Sequence, residues 1–272
     1  MQPQSCKGGD ITDVEYARVR KMIFEQAGIS LGDAKKTLVV SRLTRRLDEY
    51  GLNSFTEYLG LLNDDAYPDE LQTAVDLLTT NETYFFREDP HFALLNRIAA
   101  AHRGNQPLRV WSAACSNGQE AYSIAMVLED VLDGRPWEIV GSDISTRVIE
   151  TAKAGLYPID QASKIPADYL ARFCLRGVGS KQGMFAIDDS LRRHIRFFHG
   201  NLLDATPAIG RFDVIFLRNV MIYFNLDTKR DVVARLQESL KPGGYLLTGH
   251  SETLNGVSDA LKMVAPSVYQ KP

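Results

Sequence analysis

From Asp10 to about Thr80 apolar residues recur every three or four positions in "ITDVEYARVRKMIFEQAGI", "KKTLVVSRLTRRLDEYG", "SFTEYLGLLN" and "ELQTAVDLLTT". That period is helical, and Gly28, Gly51 and Pro68 fall between the runs, so a small four-helix domain is expected over residues 1–80. Residues 81–106 read as a linker with a polar turn, "NETYFFRED", followed by an entry helix at "HFALLNRIAAAHR". The period then changes. Short apolar runs ("LRVWSAAC", "WEIVGSDI", "IRFFHGN", "FDVIFLRNV", "GYLLTGH") alternate with helical stretches ("QEAYSIAMVLEDVL", "TRVIETAKAG", "KRDVVARLQESL"), and "LKMVAPSVYQK" closes the series. This alternation over 107–272 predicts an α/β fold with a mostly parallel, doubly wound sheet. Residues of about 156–194 interrupt it with the glycine-spaced "RGVGSKQG" and are expected to form an inserted β-rich piece.

Composition narrows the function classes. A chain of 272 residues with 44% hydrophobic residues can bury a sizeable core, and a net charge of -3 argues against a general nucleic-acid binder. Cys6, Cys115 and Cys174 are scattered and odd in number, which points to a reducing compartment. The five histidines, His91, His102, His194, His199 and His250, show no metal-ligand spacing, so no metal is expected. The amino-terminal "MQPQSCKGGD" has no apolar signal core, and no run is long enough for a membrane span. A cytoplasmic protein, not inserted in a membrane, is the expectation.

In sheets of this kind ligands bind outside the carboxyl ends of the strands, beside the first strand-to-helix turn. Here that turn is "SAACSNGQEAYS", which carries one glycine, Gly118, where a dinucleotide fingerprint needs three. A dehydrogenase is therefore disfavoured. Ala113, Ala114 and Ser116 allow close approach, Glu120 could meet a cationic amine, and Asp143 at the end of the second strand could accept two ribose hydroxyls or cap the next helix. Together they suggest an adenosine-bearing ligand without a pyrophosphate.

With "GNLLD", "FDVIFLRNVMIYF" and "LKPGGYLL" added, the chain resembles the Rossmann-like methyltransferases that use S-adenosylmethionine. More narrowly, "NETYFFRE", "ACSNGQEAYSIA", "DIS", "NLLD" and "RNVMIYF" resemble the chemotaxis receptor glutamate O-methyltransferase (CheR) family, over almost the whole chain. The resemblance implies methyl transfer from S-adenosylmethionine, leaving S-adenosylhomocysteine, to glutamates on methyl-accepting chemoreceptors. It also implies cofactor contacts at Asn81, Thr83, Arg87, Glu120, Asp143, Asn201, Leu202, Arg218 and Asn219. On that reading "NETYFFRE" is a flap over the cofactor whose aromatics exclude water. "KPGG" by itself is a turn between helix and strand.

A glutamate carboxylate is ionised at neutral pH, so its attack on a sulfonium methyl needs orientation and a dry pocket rather than a general base. Arg87 and Tyr223 are the catalytic candidates, through a planar guanidinium fork and a hydroxyl; a domain salt bridge and a core aromatic are the structural alternatives. Between residues 35 and 46, Lys35, Arg42, Arg45 and Arg46 gather on one helix face opposite Val40, Leu43, Leu47 and Tyr50. This basic face is either a solvated surface or a dock for glutamate-rich receptor helices. Gly177, Gly179 and Gly183 either permit a tight hairpin or expose an edge to which a receptor's carboxyl-terminal peptide adds as a strand. A monomer is expected. Competing classes are a methyltransferase of another protein, a nucleic-acid base methyltransferase and a module that only senses the cofactor. The base-methylating class is disfavoured because "RNVMIYF" stands where an Asp/Asn-Pro-Pro-aromatic motif would be needed.

Overall fold

A computed structural model describes residues 10–205 and 208–272; Cys6 and most of the polar amino terminus lie outside the described residues. The chain divides into two compact units, one of residues 1–80 with Tyr223–Asn225 and one of Asn81–Ile222 with Leu226–Pro272.

The first unit is helical. Helix α1 (Asp13–Ala27) opens on a reciprocal cap, in which Glu15 N donates to Thr12 Oγ1 and Thr12 N donates to the Glu15 carboxylate, and it stops at Gly28, whose φ of 68° ends the helix. α2 (Lys36–Tyr50) stops in the same way at Gly51, α3 (Phe55–Leu61) starts at the Ser54 cap, and α4 (Glu70–Leu78) completes the set. Val19, Ile23, Val39, Leu43, Leu47 and Tyr58 are fully buried between them. Of the expected apolar stripe of α2, Leu43 and Leu47 are buried, whereas Val39 takes the place of Val40, and Val40 and Tyr50 are only half-buried. The later segment Tyr223–Asn225 joins this unit through a bridge between Ile29 and Phe224 and through Ser30 N donating to the Tyr223 carbonyl.

The second unit begins with α5 (Asp89–Ala101) and then alternates β1 (Leu108–Ser112), α6 (Gln119–Leu132), β2 (Trp137–Asp143) and α7 (Thr146–Ala154). Next come β3 (Leu156–Pro158), α8 (Ala167–Phe173), β4 (Cys174–Arg176), β5 (Met184–Ile187) and α9 (Asp189–Arg192). The series ends with β6 (Ile195–His199), β7 (Phe212–Leu217), α10 (Leu226–Glu238), β8 (Leu240–Thr248), β9 (Lys262–Ala265) and β10 (Val268–Gln270). The main sheet has seven strands in the order β6-β2-β1-β7-β8-β10-β9. It is parallel from β6 to β8, and β10 pairs antiparallel with both β8 and β9. Both faces of the central strands are covered, so β1 and β7 are buried and mainly apolar beyond the half-buried Arg109 and Asp213 near their starts.

The insertion carries a separate antiparallel sheet, β3-β5-β4, together with α8, α9 and a 3-10 turn at Ile159–Lys164. The "KPGG" sequence, expected as a turn, lies inside β8, where the pairing with β7 shifts register. Proline and glycine are tolerated there because the ladder is already irregular.

Candidate active site

The carboxyl ends of β1 and β2 converge on one carboxylate. Asp143, only 6% exposed, accepts Ser116 N at 2.8 Å on Oδ2 and Ser145 N at 3.0 Å on Oδ1. It ties the loop after β1 to the loop before α7. Gly118 starts α6 with φ of 90°, and a Cβ there would lie 2.8 Å from Ala152 Cβ, so the tight turn and the close packing of α6 on α7 both demand glycine. Asn117 Oδ1 and Ser145 Oγ, beside this turn and carboxylate, are buried without a hydrogen-bond partner. Unpaired polar atoms around an acidic strand end fit a nucleoside with ribose hydroxyls.

A second carboxylate is organised by an arginine. Glu120, in the first turn of α6, accepts Ser112 Oγ at 2.7 Å and pairs with Arg218 at 2.9 Å. Arg218, with 2% of its side chain exposed, also pairs with Glu88 at 2.9 Å and donates to the Arg87 carbonyl. Burial pushes the Glu88 carboxyl up, but the Arg218 guanidinium more than reverses this, with help from His250 N and Asn219 Nδ2, and holds it below the usual value. Arg218 thus lies between the Glu88 and Glu120 carboxylates.

Directly after Arg218, Asn219 takes a left-handed φ of 58°. The strain is held by the buried Glu252, which accepts Asn219 N at 2.8 Å, Gly249 N at 2.7 Å and Ile222 N at 3.2 Å. One carboxylate thus fixes the loop after β7 to the loop after β8.

The stretch "NETYFFRE" is anchored by its two phenylalanines. Phe85, 1% exposed, packs edge-on against Tyr157 at 5.2 Å, and Phe86 stacks on Tyr169 and meets Phe92. Phe86 N also donates to Ser123 Oγ at 3.0 Å. Both rings belong to the core, where rings of this size are best buried. The polar members stay nearer the surface. Asn81 accepts Ser116 Oγ on its carbonyl at 2.8 Å, Thr83 is half-buried, and half-buried Arg87 donates to the Glu82 carbonyl at 2.9 Å while its guanidinium lies over the Tyr84 ring.

Asn201 and Leu202 follow β6. Asn201 Oδ1 accepts Leu203 N, making a local turn, and both residues line a cavity of about 140 Å³ with Trp111, Ser142 and α10 residues Val232 and Leu236.

Residues 81–269 match the family described as "CheR methyltransferase, SAM binding domain", and residues 14–79 match "CheR methyltransferase, all-alpha domain". The chain belongs to the CheR methyltransferase family. It is 42% identical over 262 residues to chemotaxis protein methyltransferase 2 of Pseudomonas aeruginosa, covering 95% of this chain and 93% of that one. The chemotaxis protein methyltransferase of Escherichia coli is 39% identical over 262 residues, with 95% and 91% covered, and that of Borreliella burgdorferi 35% over 274, with 96% and 95% covered. The chain is thus a methyltransferase whose cofactor is S-adenosylmethionine.

In the all-alpha domain of this CheR chain the basic face of α2 is only partly an outer surface. Arg42 donates to the Leu78 and Thr79 carbonyls at 3.0 and 2.9 Å, closing the carboxyl end of α4, and Arg46 grips the buried Glu70. Both were expected to point outward with Lys35 and Arg45; instead, unmet helix carbonyls and a buried carboxylate draw them in. Lys35 and Arg45 are exposed. In the insertion Gly177, Gly179 and Gly183 form the connection from β4 to β5: Gly177 N donates to the Met184 carbonyl, and Gly179 and Gly183 take φ of 56° and 84°. Tyr223 ends a 3-10 turn, Met221–Tyr223, and is half-buried.

Sequence reasoning missed Glu88, Ser112, Ser145 and Glu252. Glu88 stands inside the quoted "NETYFFRE", but neither it nor the "HSE" of Glu252 has a spacing that signals a shared network.

Proposed function

We propose that this chain transfers a methyl group from S-adenosylmethionine to glutamate side chains of chemoreceptors, forming glutamyl methyl esters. The observation that carries the reading is the 35–42% identity, over nearly the whole chain, to proteins named chemotaxis protein methyltransferases. When bound, the cofactor supplies an electrophilic methyl on a sulfonium. Asp143 holds the ribose hydroxyls, the Glu120–Arg218 pair meets the amino-acid end, and the Asn201–Leu202 cavity takes the base edge. Asn81 and Thr83 line the approach. Arg87 orients the incoming carboxylate, which arrives ionised and needs no base. Tyr223 stands as a second orienting group on sequence grounds alone. Fixed polar groups in place of water help because both reacting charges diminish as the bond forms.

Exposed Lys35 and Arg45 supply the positive field for acidic receptor helices. The connection with Gly177, Gly179 and Gly183 leads from β4, an outer strand of its sheet, and Leu175 and Val178 beside it are 56% and 81% exposed. We assign this edge to a receptor tail peptide that adds as a strand and raises the local concentration of enzyme near its substrate. The work would take place in the cytoplasm, where receptor methylation segments lie.

The test is incubation with methyl-labelled S-adenosylmethionine and receptor-containing membranes, followed by mild base. Label in the receptor band that is released as volatile methanol is expected; label that stays bound overturns the ester assignment.

A further inference from the structure

His91, in the first turn of α5, is 2% exposed, and neither ring nitrogen has a hydrogen-bond partner. Burying an imidazole this way leaves a donor and an acceptor unmet, which folded proteins avoid unless something else occupies them. Its Nδ1 lies 3.4 Å from Glu88 Oε2, an oxygen that also faces Arg218 Nη2 at 2.9 Å. From the loop after β8, His250 brings Nε2 to 3.9 Å from the same oxygen, with its ring centroid 5.4 Å from that of His91. Donor atoms of the three residues all lie within 4.8 Å of one another.

We infer that Glu88, His91 and His250 bind a divalent transition-metal cation of the zinc class. A tetrahedral ion with bonds of about 2.0–2.2 Å spaces its donors about 3.3 Å apart. The His91–Glu88 edge already has that length, and His250, with 55% of its side chain exposed, can swing the remaining distance. Two imidazoles and a carboxylate suit zinc, cobalt or nickel, whereas calcium and magnesium prefer oxygen. Charge also favours a cation. Glu88 and Glu120 face Arg218, and Glu252 sits on the adjoining loop bonded to backbone N–H groups, so three carboxylates stand against one guanidinium. Arg218, 2.9 Å from Glu88 Oε2, takes the place of the outer partner that ligating carboxylates usually have.

Such an ion would fasten the start of α5, with Arg87 and Glu88 before it, to the loop after β8. The inference holds whatever the methyl acceptor is, because it rests on binding.

The test uses the full chain stripped with a chelator, titrated with zinc chloride by calorimetry and with cobalt chloride by visible absorbance. One equivalent of zinc is expected, with four- or five-coordinate cobalt bands. His250→Ala, at an exposed ring, should fold normally and weaken zinc binding at least about tenfold, by the standing of ligand-shell losses. Wild-type binding that is absent, wild-type affinity retained in His250→Ala, or an intense thiolate-to-cobalt band pointing to a cysteine site would each overturn the inference.

Discussion

Arg218 Nη1 and Glu120 Oε2 stand 2.9 Å apart, 98 residues distant in the chain, with 2% and 12% of their side chains exposed. Because Arg218 also compensates Glu88, it stands between two largely buried carboxylates. Removing one partner of a buried ion pair costs about 3–5 kcal/mol. Arg218→Ala should therefore lower unfolding free energy by that order in urea titrations. Glu120→Gln should cost less and weaken cofactor affinity instead.

Asp143 holds two loops by accepting two backbone N–H groups. Asp143→Asn keeps one acceptor oxygen and the volume but loses the charge. Charge-assisted hydrogen bonds contribute about 1.5–3 kcal/mol, so affinity for S-adenosylmethionine and S-adenosylhomocysteine should fall about 10- to 100-fold in calorimetry. Unchanged affinity would remove Asp143 from the ribose site.

Arg87 donates one hydrogen bond to the Glu82 carbonyl and is only half-buried. Arg87→Ala should cost less than about 1.5 kcal/mol of stability. Methyl transfer should fall far more. A collapse in melting temperature would make its role structural.

Glu70 is 3% exposed and accepts from Arg46 at 2.8 Å, Tyr58 at 2.6 Å and Tyr50 at 2.9 Å. Burial pushes its carboxyl up, but the hydrogen bonds from Arg46, Tyr58 and Tyr50 outweigh it and leave the group below its ordinary value. A depressed folded value stabilises above the unfolded one, about 4.3, and that contribution is lost as pH falls through the folded value. Glu70→Gln should be less stable than wild type by about 3 kcal/mol at pH 7, and denaturant melts on acidification below about pH 4.3 should show the gap closing.

Charge reversal at Arg42 or Arg46 would break α4 capping or the Glu70 pair, so receptor docking is better tested at Lys35 and Arg45. The double change of Lys35 and Arg45 to Glu should slow receptor methylation several-fold at low salt and leave cofactor affinity intact. Screening over about 8 Å at physiological ionic strength should narrow the difference as salt is added. Equal rates at all salt concentrations would leave α2 a solvated face.

Periodicity made the four helices of residues 10–80 and the alternation of strands and helices legible, because burial of one face writes itself into local spacing. The strand-end position of Asp143 and the single glycine of the first turn were legible for the same reason: both lie within one strand–turn–helix unit. The side to which a given residue turns was not. Arg42 and Arg46 have the spacing of a solvent face, yet the carbonyl end of α4 and Glu70, 24 residues from Arg46, draw them inward. Phe85 and Phe86 carry no period at all, and only the packing of the insertion against α5 and α6 shows them to be core. Glu88 and His91 are three residues apart, but His250 reaches them from 162 positions beyond Glu88. The sequence by itself determined the elements, the place of Asp143 at a strand end and the family, since these rest on patterns within short windows. Tertiary structure alone decided which charges are spent on folding and which side chains meet, because pairing across a sheet depends on strand order, and strand order leaves no trace in local spacing.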